Sequence, residues 1–198
     1  MTVLDLEPAT SMLAGIVVGV RDEQLGAPTP CTEASLGDLL DHVDGLSLAF
    51  TAAARRTALE GEQGPSADAS RLGPEWRARI PSRLAELAAA WRDPDAWTGM
   101  TQAGGEDLPA EVAGLVALNE VIVHGWDIAV ASGQPYSAEP QLVEAALQFV
   151  RSAVAENPDG SPGLFGPPVP VPDDAPVLER LLGLAGRNPA WRPGEGVG

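Results

Sequence analysis

Three ionisable side chains interrupt the longest apolar stretch of the chain, and all three are of types that bind metal ions. Between Val112 and Val130 the only ionisable residues are Glu120, His124 and Asp127, within the run Asn119-Glu120-Val121-Ile122-Val123-His124-Gly125-Trp126-Asp127. On a helix, at about 100° per residue, Glu120 and His124 lie about 40° apart, one turn above one another, and Asp127 falls within about 20° of Glu120. A carboxylate placed in an apolar interior without a partner is costly or takes up a proton, so this stripe needs a cause. A divalent cation is one, because Glu and His on successive turns can offer it an oxygen and an imidazole nitrogen. Most such sites take a third ligand from another element, and the only other histidine is His42.

The same residues also admit a purely structural reading. Glu120 could end a hydrogen-bond network with Asn119 or a buried arginine, and His124 could be a satisfied core imidazole. Asp127 could be a fourth ligand, orient a ligand histidine, face a substrate as an acid, or pair with an arginine. Trp126 reads first as core, and Gly125 would let another helix or a ligand approach the backbone closely. Cys31 precedes a helix start whose dipole could lower its pKa, but it reads better as a small buried side chain than as a nucleophile. There is no Gly-rich phosphate loop, Gly-x-Ser-x-Gly elbow or Cys-x-x-Cys, so nucleotide binding, serine hydrolysis and structural zinc lack support.

Positioning these residues requires long helices. The spacing predicts a first helix over Thr10–Gln24 and a second from the capping box Ser35-Leu36-Gly37-Asp38 to about Leu59. The second has an apolar face of Leu36, Leu39, Leu40, Val43, Leu46 and Phe50, and His42 sits about 40° beyond Leu46, at its edge. Residues 60–74 read as a polar loop. A third helix follows over Glu75–Trp91, which Pro81 kinks or starts. Ala96–Thr101 reads as a short extended segment. A fourth helix begins at Asp107-Leu108-Pro109 and ends at Ser132 before Gly133, and a fifth spans Ala138–Glu156. In the proline-rich stretch 157–174, Pro-Val-Pro-Val-Pro reads as extended with alternate valines packed down. A last helix covers Ala175–Leu184. The expected architecture is all-α: an antiparallel four-helix bundle with one or two crossovers, an extra C-terminal helix and short extended segments. One domain is expected over residues 1–187, with a frayed tail over 188–198.

Composition narrows the function. The chain has 198 residues, is 44% hydrophobic, and balances 12 arginines and no lysine against 28 acidic residues for a net charge of −16. That charge repels phosphate backbones and anionic headgroups, which disfavours nucleic acid and membrane surfaces as partners. A single cysteine allows no internal disulfide and fits a reducing cytosol, and no secretory signal is visible at the N-terminus. Residues 112–130 have the length of a membrane span, but at about 2.5 to 3.5 kcal/mol for each central charge they fit a buried bundle helix better. A cytoplasmic protein, monomer or homodimer, is expected.

Four stretches, Thr29-Pro30-Cys31-Thr32, Leu39-Leu40-Asp41-His42-Val43, Asn119 to Asp127 and Val171-Pro172-Asp173-Asp174-Ala175-Pro176, together resemble the actinobacterial DinB/YfiT-like family. That family is related to the N-terminal domain of mycothiol-dependent maleylpyruvate isomerase. The resemblance runs from the first helix to the last. It implies a DinB-like four-helix bundle with a divalent metal, zinc or nickel, in a pocket at one end. It puts the family's metal ligands on His42, Glu120 and His124, with an open position that receives the thiolate of a low-molecular-weight thiol such as mycothiol or bacillithiol. The function implied is a thiol-dependent transferase or isomerase acting on a small-molecule electrophile, with Asp127 orienting a ligand or accepting a proton. A non-catalytic metal- or small-molecule-binding bundle is the alternative. Two departures stand out. Ala34 stands where the family commonly has an aromatic residue, and the chain ends soon after the bundle, which suggests that the isomerase's further C-terminal domain is absent and that maleylpyruvate is not the substrate.

Overall fold

A computed structural model of the protein describes residues 3–57, 67–160 and 165–194. Six helices carry the fold: α1 (Glu7–Gly19), α2 (Leu36–Arg55), α3 (Trp76–Trp91), α4 (Ala110–Ser132), α5 (Pro140–Glu156) and α6 (Val177–Leu184). A hairpin of β1 (Met100–Ala103) and β2 (Glu106–Pro109) joins α3 to α4. The first four helices form the bundle. Helices α1 and α2 each pack against both α3 and α4, while α5 lies on α4 and α6 on α5. The mostly-α bundle expected from the sequence is the fold observed.

Local chemistry fixes the helix that carries His42. Ser35 Oγ accepts the Asp38 amide at 3.2 Å, and Asp38 Oδ2 accepts the Ser35 amide at 2.9 Å, so the capping box starts α2 at Leu36. Leu36, Leu39, Leu40, Val43 and Leu46 are all buried. The helix ends at Arg55, because Arg56 turns left-handed with φ 51°. Its guanidinium is anchored there by the carbonyls of Asp95, Thr98 and Met100. Residues 58 and 59, expected to be helical, lie outside the described residues, as does much of the expected loop 60–74.

Helix α4 is buried on nearly every side, which explains its unbroken apolar run. It is long and apolar enough to cross a membrane by length and composition, but 89% of its most apolar window is buried inside the fold. Two glycines let neighbours approach it. A Cβ at Gly114 would sit 2.6 Å from the Trp97 ring, and one at Gly125 would sit 3.1 Å from the Tyr136 ring. Gly133, left-handed at φ 73°, ends the helix where the sequence places the stop.

Three expectations need correction. Asp107, Leu108 and Pro109 do not start α4; they form β2, which pairs antiparallel with β1 across Gly104 and Gly105. Pro109 then serves as the extended N-cap of α4. Ala96 and Trp97 are not extended but lie in a 3-10 turn over Pro94–Trp97, and only the segment after them is a strand. The first helix starts at Glu7, with Pro8 in its first turn, and stops at Gly19. Pro81 sits inside α3 without breaking it. In the C-terminal strap Val169 and Val171 are half-buried and Pro170 and Pro172 exposed, as expected. The Val169 amide donates to Gly183 O at 2.8 Å, so the strap lies against α6.

Candidate metal centre

The three residues nominated from their types meet at one end of the α2–α4 pair. Glu120 Oε2 lies 3.3 Å from His42 Nε2 and 3.1 Å from His124 Nε2. One donor atom from each residue falls within 4.8 Å of the other two. The imidazoles stand edge to face at 82°, with centroids 4.9 Å apart. Three ligands about 2.0–2.1 Å from a tetrahedral zinc ion would be about 3.3 Å from one another, so the two Glu120 edges already have the required length. Glu120 and His124 are buried at 6% and 7% exposure, and the His42 side chain is 20% exposed, so the cluster opens on the His42 side.

Burial alone would raise the pKa of Glu120, but the charges and hydrogen bonds of His124 and His42 outweigh it and hold the carboxyl down to about 2. Burial likewise works against protonated His124, and Glu120 and Asp127 overcome it, lifting the imidazole to about 9. Without a cation, the cluster is therefore a buried ion pair whose proton sits where a metal would sit.

Asp127 is fully buried behind His124 rather than beside Glu120's oxygens. Its Oδ2 lies 3.1 Å from His124 Nδ1, and its two oxygens accept Nε and one terminal nitrogen of Arg187 at 3.1 Å. A carboxylate engaged by arginine is an acceptor, so Nδ1 of His124 carries the proton and Nε2 faces the cluster. Both the arginine pairing and the histidine-orienting arrangement anticipated for Asp127 are thus present together. Arg187 was not singled out in the sequence. Its last terminal nitrogen donates to Ala185 O at 3.2 Å, which fixes it to the turn after α6. The only hint in the sequence was an arginine placed just after an amphipathic helix, and that carries no address.

Glu120 does not bond Asn119, whose Oδ1 is buried without a hydrogen-bond partner among the described residues. Gly125 admits the Tyr136 ring, which donates its hydroxyl to Ile122 O at 2.8 Å, and Trp126 is buried as core. Cys31 is half-buried. Burial raises its pKa, Arg187 pulls it down and Asp127 pushes it up, which places the thiol by the site without activating it.

These features define a class: a helical bundle with a His–Glu–His cluster at one end and an oriented imidazole behind it. The family model of the mycothiol maleylpyruvate isomerase N-terminal domain matches residues 6–129, and the chain belongs to that family. An uncharacterised protein of Mycobacterium tuberculosis, found in strains CDC 1551 and H37Rv, is 27% identical over 91% of this chain and 94% of its own length. The mycothiol-dependent maleylpyruvate isomerase shares the fold, with a TM-score of 0.56, 18% identity and coverage of 92% of this chain and 87% of that one. A histidine-to-alanine mutant of that enzyme superposes with a TM-score of 0.63 at 17% identity. Each likeness covers 87% of the isomerase chain, so the expectation that a whole further domain of that enzyme is absent here does not hold.

Proposed function

We propose that the protein binds one divalent cation, zinc or nickel, through His42, Glu120 and His124, and uses a low-molecular-weight thiol such as mycothiol in a transferase or isomerase reaction. The observation that carries this reading is the convergence of three donor atoms of the right types within 4.8 Å. Two imidazoles and one carboxylate are a catalytic rather than a structural donor set, since they leave a position open. Membership of the isomerase family supports the thiol.

A bound divalent cation supplies a lowered thiol pKa at neutral pH. The chain's own residues do the rest. Glu120 provides the one negative charge of the donor set. Asp127 acts as a positioning residue, holding His124 in the tautomer that presents Nε2, and Arg187 offsets the charge of Asp127. The half-open His42 side admits the small molecules, while the buried face of α4 keeps water from the other side. Bringing thiol and electrophile together there supplies proximity.

The test uses cobalt(II)-loaded protein. Mycothiol should bring in a sulfur-to-cobalt charge-transfer band, and the loaded protein should convert an electrophile in a thiol-dependent way. A protein that takes up cobalt but shows neither band nor turnover would contradict the thiol chemistry. A band without turnover across an electrophile panel would instead identify a binding protein.

A further inference from the structure

A second pocket lies on the far side of α4 from the metal cluster. Trp126 follows His124 by two residues, about 160° away around the helix, so its indole points away from the three ligands. The chain then builds a wall on each side of it. Left-handed Gly133 ends α4 and turns the chain so that the Tyr136 ring packs on Gly125. After α6, Gly186 turns left-handed at φ 77° and Arg187 is pinned to Asp127, which sets Pro189 and Arg192 beside Leu178, Glu179 and Leu182. Between these walls is a cavity of about 410 Å³, within the range of small-molecule sites.

The body of the cavity is apolar, formed by Trp126, Val130, Tyr136, Leu178 and Leu182. Its polar groups are unspent. Trp126 is 6% exposed, and its indole N–H meets no acceptor among the described residues without being sealed off, so the donor opens on the cavity that the ring lines. Arg192 uses one terminal nitrogen, on the carbonyls of Pro189 and Trp191 at 3.4 and 2.7 Å, and meets no carboxylate among the described residues. Glu179, exposed at the rim, meets no cation among them. Gln134 is committed elsewhere, with Nε2 on Ile16 O and Ser132 Oγ and Oε1 against Gly19.

We propose that this cavity binds a free α-amino acid with an aromatic or large branched side chain. The guanidinium of Arg192 and the indole N–H take the carboxylate, Glu179 takes the ammonium, and the side chain lies against the apolar wall. An anion alone would face Glu179 in a chain of net charge −16, and a cation alone would leave Arg192 and the indole unmatched. A zwitterion answers both signs. The site depends on neither the metal nor the thiol reading above.

The experiment compares L-phenylalanine with 3-phenylpropanoate and 2-phenylethylamine, which keep the ring and side-chain carbons but drop one charge each. Calorimetry on the full chain should give a Kd of about 1 mM or lower for L-phenylalanine. Each analogue should bind about 10-fold or more weakly. Arg192→Gln should weaken L-phenylalanine and 3-phenylpropanoate but not 2-phenylethylamine. Glu179→Gln should weaken L-phenylalanine and 2-phenylethylamine but not 3-phenylpropanoate. Both side chains are exposed, so the Tm of each variant should match the wild type. The indole N–H resonance of Trp126, assigned by its loss in Trp126→Phe, should move as L-phenylalanine is added. The affinity should be equal in metal-free protein and in protein dialysed free of excess zinc. An analogue that binds as well as L-phenylalanine overturns the inference, as does a Trp126 resonance that stays in place or an amino acid that binds only when zinc is present. No binding of L-phenylalanine at about 10 mM overturns it too.

Discussion

The two ends of the α2–α4 pair solve the same problem in opposite ways. At one end Trp91 and Trp97 stack edge to face, 5.0 Å apart, over Gly114. Their indole nitrogens donate to Phe50 O at 3.1 Å and Trp91 O at 2.7 Å, and Thr101 Oγ1 donates to Ala53 O at 2.6 Å. Every buried donor there meets a backbone carbonyl, and none of these partners titrates. At the other end Glu120, His42, His124, Asp127 and Arg187 bond one another through side chains. The first end is finished by folding. The second holds a proton that can be exchanged for a cation, which is what distinguishes a plug from a site.

Changes to each end should therefore separate stability from metal uptake. The largest effect is expected from His124→Ala, which removes a donor and should abolish zinc uptake, read by equilibrium dialysis. Next, Asp127→Asn should weaken metal affinity by about 10- to 100-fold, by loosening the orientation of His124. It should also lower stability by about 3–5 kcal/mol, because Arg187 is left buried without its counter-charge. Uptake unchanged in Asp127→Asn would show that His124 needs no orienting partner. At the tryptophan end, Gly114→Val should cost about 1–3 kcal/mol in chemical denaturation, since its Cβ would fall 2.6 Å from Trp97. Its zinc stoichiometry should stay at wild type.

The pH dependence sharpens the contrast further. In metal-free protein the pKa of His124 rises from 6.5 to about 9 on folding, so its ion pair stabilises fully below 6.5 and is lost as pH climbs through 9. Glu120 falls from 4.5 to about 2, so its contribution is present above 4.5 and lost as pH drops toward 2. The Tm of the metal-free protein should fall between pH 7 and pH 9 in the wild type and stay flatter in His124→Gln. Zinc binding near pH 7 should release a proton from His124, detectable as a buffer-dependent heat. The smallest effect is expected from Ser35→Ala, about 1 kcal/mol for the α2 cap.

The site was more legible in the sequence than the scaffold around it. Glu120 and His124 stand out because charge on a buried helix is costly, and His42 because the chain offers no second candidate. Period and caps also located the helices, since Ser35, Asp38 and Gly133 act through local hydrogen bonds and backbone angles. The hairpin escaped because its four-residue strands are defined by pairing with each other, not by any period. Pro109 before Ala110 looks the same to a local reading whether it caps a helix or belongs to its first turn. Arg187 escaped for a related reason. It reaches Asp127 across 60 residues, and no short-range pattern records where a side chain after α6 will land.

Elemental analysis of freshly purified wild-type, His42→Ala and His124→Ala protein, after dialysis against zinc or nickel, bears on the metal centre most directly. About one equivalent in the wild type and none in either variant is the expected result. Equal metal content in all three would mean that the two imidazoles and Glu120 bond only one another, and the thiol chemistry would lose its foundation.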